Sequence, residues 1–391
     1  MQFVDFTTLM AVTAELRQDW LPARLEQVYQ RDRHTLNLCL RTLDRRGWLT
    51  VAWHPQAARL CLADPPPRLP DTFTFSQQLW HQLSGLALVD FALLAPWERV
   101  VDCQFARRPG DPIQWHLYVE IMGKYSNVIL ANQDQVIVTA AHQVSASQSR
   151  LRPIQTGQIY TPPPALTEAI PNRQESQLAW QERVSLIPGK LGRNLQQTYR
   201  GLSTPLVNAL VTAAGLQATD LTDQIQADDW QRLFQVWQAW LTQLETASFQ
   251  PSWLPQGGYT VLNLAPNPAD NHSSKLKISE LLNHYYCNIL NQQEFDQLRQ
   301  QLLQKLKALL VKLRQKSAGF CQRLSESDLA ETHREQADLL MAHLHLGQPG
   351  MSEITLADFS TGKPITIVLE PDKTLVQNAQ ARYKKHQKLK R

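Results

Sequence analysis

The chain has 391 residues and a mass of 44.7 kDa, with 39 Lys and Arg against 35 Asp and Glu and a formal net charge of +4 when its 11 histidines are neutral. That length accommodates two or three domains, each with its own core. Charged residues make up 19% of the chain, below the roughly 25% usual for globular proteins, and no apolar run approaches the ~18 residues of a membrane-spanning helix. The opening MQFVDFTTLM lacks the basic and apolar regions of a signal peptide, so no export is expected and the reading is cytoplasmic, with no membrane partner. The five cysteines, at 39, 61, 103, 287 and 321, stand singly without a CxxC pair or a histidine at ligand spacing. Neither a disulfide framework nor a zinc site can be assembled from such spacing.

In chain order, apolar residues at 9, 12, 16 and 20 have helical spacing, and four short apolar and β-branched segments follow at 23–29, 35–43, 49–53 and 58–62. Arg45-Arg46-Gly47 and His54-Pro55 punctuate them as a meander requires. The proline-rich stretch 64–70 reads as a stiff linker into a second helix near 74–84, because proline fixes φ and removes a donor. Strands are expected at 100–106 and 113–122 around a Pro-Gly loop, and again at 127–131 and 135–141. The fold class that results is α+β and multidomain. An antiparallel-sheet domain occupies 1–165 and closes at Pro162-Pro163-Pro164.

From 166 to 250 the pattern is helical. A helix at 188–199, a turn at Gly201-Leu202-Ser203, and a second helix capped by Thr204 with Pro205 behind it make a helix-hairpin-helix, with Gly215 as its stop. A further helix at 227–246 carries a stripe of Trp230, Leu233, Phe234, Trp237, Leu241 and Leu244, expected to be core. The remainder, 251–391, begins with a β-like stretch at 259–264 and returns to helix from about 278 to 345. There Phe295, Leu302, Leu306, Leu309, Leu313 and Phe320 approximate a heptad, the sign of an antiparallel coiled-coil arm. Between Asp296 and Glu326 lie Arg299, Lys305, Lys307, Lys312, Arg314, Lys316 and Arg323 and no acid. A basic run is usually a solvated face, but one without carboxylates also suits a polyanion. A β-hairpin is expected at 354–369, and then a basic, acid-free helical segment from 378 to 391 that reads as a tail or as the start of a second arm.

Catalytic motifs are missing. The sequence contains no GxSxG, P-loop, HExxH or strand-borne GxGxxG, and His343 and His345 stand two residues apart on different helix faces. No catalytic residue, cofactor or metal is expected. The segment that departs from generic patterning is 118–130, a strand, a sharp glycine turn and a strand, with Ser126 and Asn127 placed to bond their own backbone. On residue types alone it is either a structural corner or a polar edge offered to a ligand.

Glu120-Ile121-Met122-Gly123-Lys124-Tyr125-Ser126-Asn127 resembles the E-x-M-G-[RK]-[HY]-S-N signature of the NFACT family, the ribosome-associated quality-control factors RqcH and NEMF, also called fibronectin-binding protein A-like. Supporting pieces occur in family order: Asp5, residues 157–160, Tyr199-Arg200-Gly201-Leu202-Ser203-Thr204-Pro205, Asp338-Leu339-Leu340 and Asn378-Ala379-Gln380. The resemblance covers nearly the whole chain, without the C-terminal RNA-binding domain of full-length members. It implies binding to the large ribosomal subunit obstructed by peptidyl-tRNA, recruitment of tRNA, and tailing of the stalled chain by a transferase centre that the subunit supplies.

In the family an early Asp and an Asp-Arg pair engage tRNA. Here Asp5 is kept and the pair is Glu98-Arg99, while the family's Arg-Lys pair on the second helix is replaced by Trp80-His81. The resemblance therefore nominates Asp5, Glu98, Arg99, Glu120, Gly123, Lys124, Ser126, Asn127 and Gly201 for tRNA and ribosome contact. Arg99 suits a phosphate, because a guanidinium gives two parallel hydrogen bonds while a neighbouring carboxylate holds its plane; the bland alternative is a surface ion pair. The runner-up function is a general RNA-binding module of glycosylase-like architecture. Glycosylase activity on DNA is not expected, since Met1 is followed by Gln2 rather than proline and zinc ligands are missing. An adhesin would need export.

Overall fold

The computed structural model describes residues 2–164, 169–255, 257–263 and 276–390. It divides into two compact units, Met1–Gln293 and Glu294–Arg391.

The first unit is built on one nine-stranded sheet with order β4-β3-β2-β1-β5-β6-β7-β8-β9, antiparallel at every pairing. Its strands are β1 Ala23–Asp32, β2 Thr35–Arg41, β3 Arg46–Ala52, β4 Arg59–Ala63, β5 Ala87–Leu93, β6 Val100–Ala106, β7 Trp115–Glu120, β8 Asn127–Asn132 and β9 Ile137–Ala140. Strand β5 is not apparent from the sequence. The cause is a bulge between Leu88 and Asp90, which breaks the period-two pattern that identifies a half-buried strand. Helix α1, Phe6–Trp20, buries Leu9, Val12, Leu16 and Trp20 as its spacing predicts, and Asp5 caps it by accepting from the Thr8 amide. Helix α2, Thr74–Leu83, buries Phe75, Leu79 and Leu83.

Helices α3 Gln177–Ser185, α4 Leu191–Thr198, α5 Thr204–Ala213 and α6 Ala227–Glu245 follow. The α6 stripe is core: Trp230, Leu233, Trp237, Leu241 and Leu244 are buried, and Trp240 with them. Sheet and helices share one continuous core that runs from Val4 to Tyr286. One detail differs from the sequence reading. The N-cap of α5 is Ser203, whose Oγ accepts from Leu206 N at 3.1 Å, so Thr204 is already the first helical residue. Gly215, with φ +78°, ends that helix as expected. The strand expected at 259–264 contracts to β11, Tyr259–Thr260, paired with β10, Ser252–Trp253; Leu264 lies outside the described residues.

Helix α7, Ile278–Ala342, is continuous over 65 residues, and the division between the units falls inside it. In the second unit it is followed by a hairpin of β12 Glu353–Ala357 and β13 Pro364–Val368, then by α8, Leu375–Leu389. Side chains of α8 meet α7 in antiparallel order. Arg382 bonds Gln336, Tyr383 bonds Asp338, and His386 Nδ1 lies 2.9 Å from the Ala330 carbonyl. A small core of Leu339, Leu340, Ile354, Leu356, Ile367, Leu369, Leu375 and Ala379 joins the hairpin to both helices. At 1.5 Å per residue α8 is roughly 22 Å long against about 98 Å for α7, so it covers only the distal part. The heptad stripe from Phe295 to Phe320 has no partner helix among the described residues, and every residue from 294 to 325 is exposed.

Candidate nucleic-acid interface

Three loops of the first unit converge at one end of the sheet: the start of α1, the β5–β6 connection and the α4–α5 turn. Asp5 is buried and both its oxygens are committed. Oδ1 accepts from the Thr8 amide at 2.8 Å and Oδ2 accepts from Ser203 Oγ at 2.6 Å, tying the first residues to the α4–α5 turn. The β5–β6 connection turns sharply at Trp97, whose φ of 62° is uncommon for a residue with a side chain. Its ring packs at 4.7 Å from Phe6 and 5.5 Å from Trp240. Gly201, φ +75°, lies against the other side of this cluster: a Cβ there would stand 2.8 Å from Trp97 Cε3 and 3.4 Å from Phe6 Cβ. A positive φ is therefore found at Gly201, and its close neighbour is an indole.

Glu98 and Arg99 follow Trp97 and are half-buried. Burial pushes the Glu98 carboxyl up, opposed by the charges of Arg200 and Arg99. Burial pushes the Arg99 guanidinium down, opposed by Asp5 and Glu98. Arg99 closes no side-chain hydrogen bond or salt bridge among the described residues. It is a desolvated cation held in the field of two carboxylates, one of which is fully engaged elsewhere. Such a group has its donors available to an incoming anion.

The signature corner adjoins this rim, because Ile121 N donates to the Arg99 carbonyl at 2.9 Å. Most of its nominated residues are spent on architecture. Glu120 is 1% exposed; it accepts from Arg152 Nη1 at 3.0 Å and Tyr160 Oη at 2.8 Å. The Tyr160 ring stacks on Tyr118 at 3.7 Å. Ser126 Oγ accepts from Met122 N at 2.8 Å. Asn127 Oδ1 accepts from Val128 N and His142 N, and its Nδ2 donates to the His142 carbonyl at 2.7 Å. Gly123, φ +57°, opens the turn. The exposed tip is Lys124, whose Nζ lies 4.9 Å over the Tyr125 ring.

The structure thus brings Asp5, Glu98, Arg99 and Gly201 together and sets the 120–127 corner beside them. It adds Trp97, Arg200 and Ser203 to the rim, and Arg152 and Tyr160 behind the corner. Trp97 immediately precedes the nominated Glu98-Arg99 pair. Arg152 had no local signal, since its carboxylate partner is 32 residues away.

By its geometry this is an α+β protein whose rim offers cationic and aromatic side chains, Arg99, Arg200 and Trp97. The chain belongs to the NFACT family: the family's N-terminal and middle domains match residues 5–391. It is 29% identical over 387 residues to the Rqc2 homolog RqcH of Streptococcus suis, an alignment that covers 97% of this chain and 65% of that protein. Against the Rqc2 homolog RqcH of Bacillus subtilis the identity is 26% over 392 residues, covering 97% and 66%. The chain spans about two thirds of the length of the curated relatives it matches. Among solved structures it is similar to the N-terminal part of the fibronectin/fibrinogen-binding protein from Streptococcus suis, with TM-score 0.55 and 26% identity over 73% of this chain and 99% of that one. The fibrinogen binding protein from Staphylococcus aureus shares the fold, with TM-score 0.56 and 17% identity over 72% and 98%. No helix of the described residues is long and apolar enough to cross a membrane.

Proposed function

We propose that this protein is a cytoplasmic ribosome-associated quality-control factor. It binds large ribosomal subunits obstructed by peptidyl-tRNA, engages tRNA at the rim around Arg99, and promotes C-terminal tailing of the stalled chain. The RqcH relatives support the reading at the level of family. The observation that carries it is Arg99, half-buried between Asp5 and Glu98 with its guanidinium unspent. A planar fork in that position suits bidentate capture of a phosphate, which a lysine cannot reproduce.

The test compares tRNA affinity and thermal unfolding of wild type, Arg99→Ala and Arg99→Lys. The expected result is a loss of affinity for Arg99→Ala, partial recovery for Arg99→Lys, and little change in unfolding for either. Equal affinity in all three removes the rim from tRNA recognition. The basic surface of residues 299–323 favours a second reading, a general RNA-binding module. That reading gains if tRNA binding is indifferent to Arg99 yet falls steeply with salt through counterion release.

A further inference from the structure

A groove of about 640 Å³ lies away from the Arg99 rim, between the β1–β3 end of the sheet, α2 and the proline segment that leads into α2. Three aromatic residues from three elements line it: Tyr29 of β1, Trp48 of β3 and Trp80 of α2. Their placement follows from sequence. Val28 and Leu49 pack with the main core, so their neighbours Tyr29 and Trp48 fall on the opposite face of the pleat. Helix α2 buries Phe75, Leu79 and Leu83, which leaves Trp80 41% exposed and without a task in that core.

Arg46 and Arg68 also line the groove, and its described lining residues include no carboxylate. Arg46 is held by Glu26, with Nε 2.6 Å from Oε2, but Glu26 is shared with Arg41, so the trio keeps a net positive charge. Aromatic faces beside guanidiniums form a surface on which bases stack while phosphates meet cations. A proline-rich peptide is the less suitable occupant, because the chain's own Pro66 and its neighbours already form one wall.

We propose that this groove binds a short unpaired stretch of RNA, its bases stacked on Trp80, Trp48 and Tyr29 and its phosphates on Arg46 and Arg68. The inference rests on the RNA-binding part of the function above and adds a second, structurally separate contact. It also gives a role to Trp80, a large aromatic side chain left 41% exposed.

The probe is a fluorescein-labelled oligouridylate titrated against the full chain by anisotropy. Wild type should bind it. Trp80→Ala and Arg68→Gln, both at exposed positions, should fold; Trp80→Ala should weaken it by about fivefold or more, the least that loss of one stacked base produces, and Arg68→Gln should weaken it with a shallower salt dependence. No binding by wild type, or equal binding by Trp80→Ala, overturns the proposal. So does capture of a proline-rich peptide that Trp80→Ala abolishes while oligouridylate binding is unmoved. The rim is judged separately, by tRNA affinity in Arg99→Ala, so either contact can fail without the other.

Discussion

Glu120 is nominated for RNA contact by its place in the signature, yet its carboxylate is consumed inside the fold. It is 1% exposed and its partner Arg152 has a side chain 13% exposed. Hydrogen bonding to Glu120 holds the Arg152 guanidinium up against the opposing effect of burial. Burial beside that carboxylate pushes the Tyr160 hydroxyl up as well. Breaking a buried pair from one side strands the other charge, at a cost of about 3–5 kcal/mol. Glu120→Ala is accordingly expected to destabilise the first unit by that amount in urea unfolding. Loss of RNA binding with unchanged stability would return Glu120 to the interface. Ser126 and Asn127 were legible as backbone-bonding residues because their partners are local or one hairpin away. Arg152 was not, because nothing in a residue's own neighbourhood encodes a contact closed by tertiary folding.

At the scale of elements, two hairpin tips meet through a pair of histidines. His34 in the β1–β2 turn and His54 after β3 have ring centroids 5.3 Å apart, and Trp53 N donates to the His34 carbonyl at 2.9 Å. Burial is the main cause that lowers both rings below the ordinary 6.5, with His34 adding repulsion at His54 and Asp32 opposing at each. The unfolded chain therefore takes up protons more readily than the folded one, so stability is full above 6.5 and declines as pH falls below it. Urea midpoints at pH 7.5 and 5.5 should show that decline, and His34→Gln with His54→Gln should flatten it. An unchanged slope in the double variant would dismiss the pair as its source. Most elements were readable because periodicity and turn residues agree: α1, β6 and the buried face of α6 follow from spacing alone. Strand β5 was hidden by its bulge, and the α5 cap moved to Ser203 because that hydroxyl bridges to Asp5, a partner 198 residues away.

At the scale of the molecule, the stripe of α7 that spaces like a coiled coil stands uncovered, and α8 reaches only its distal end. Residues 294–325 are exposed throughout, so their helix rests on its own hydrogen bonds without an apolar face buried against a neighbour. In proteins most of a helix's stability comes from packing an amphipathic face rather than from propensity. Local opening should be least costly here, while the core holding Leu281 and Tyr286 and the cluster holding Leu339 and Leu340 stay closed. The seven lysines and arginines between 299 and 323 are also tryptic sites. A brief digestion should cut in this interval first and yield two protease-resistant fragments, with hydrogen exchange fastest over the same amides. If RNA occupies that basic surface, it should slow both the cleavage and the exchange, turning the weakest stretch of the chain into a built-in reporter of occupancy.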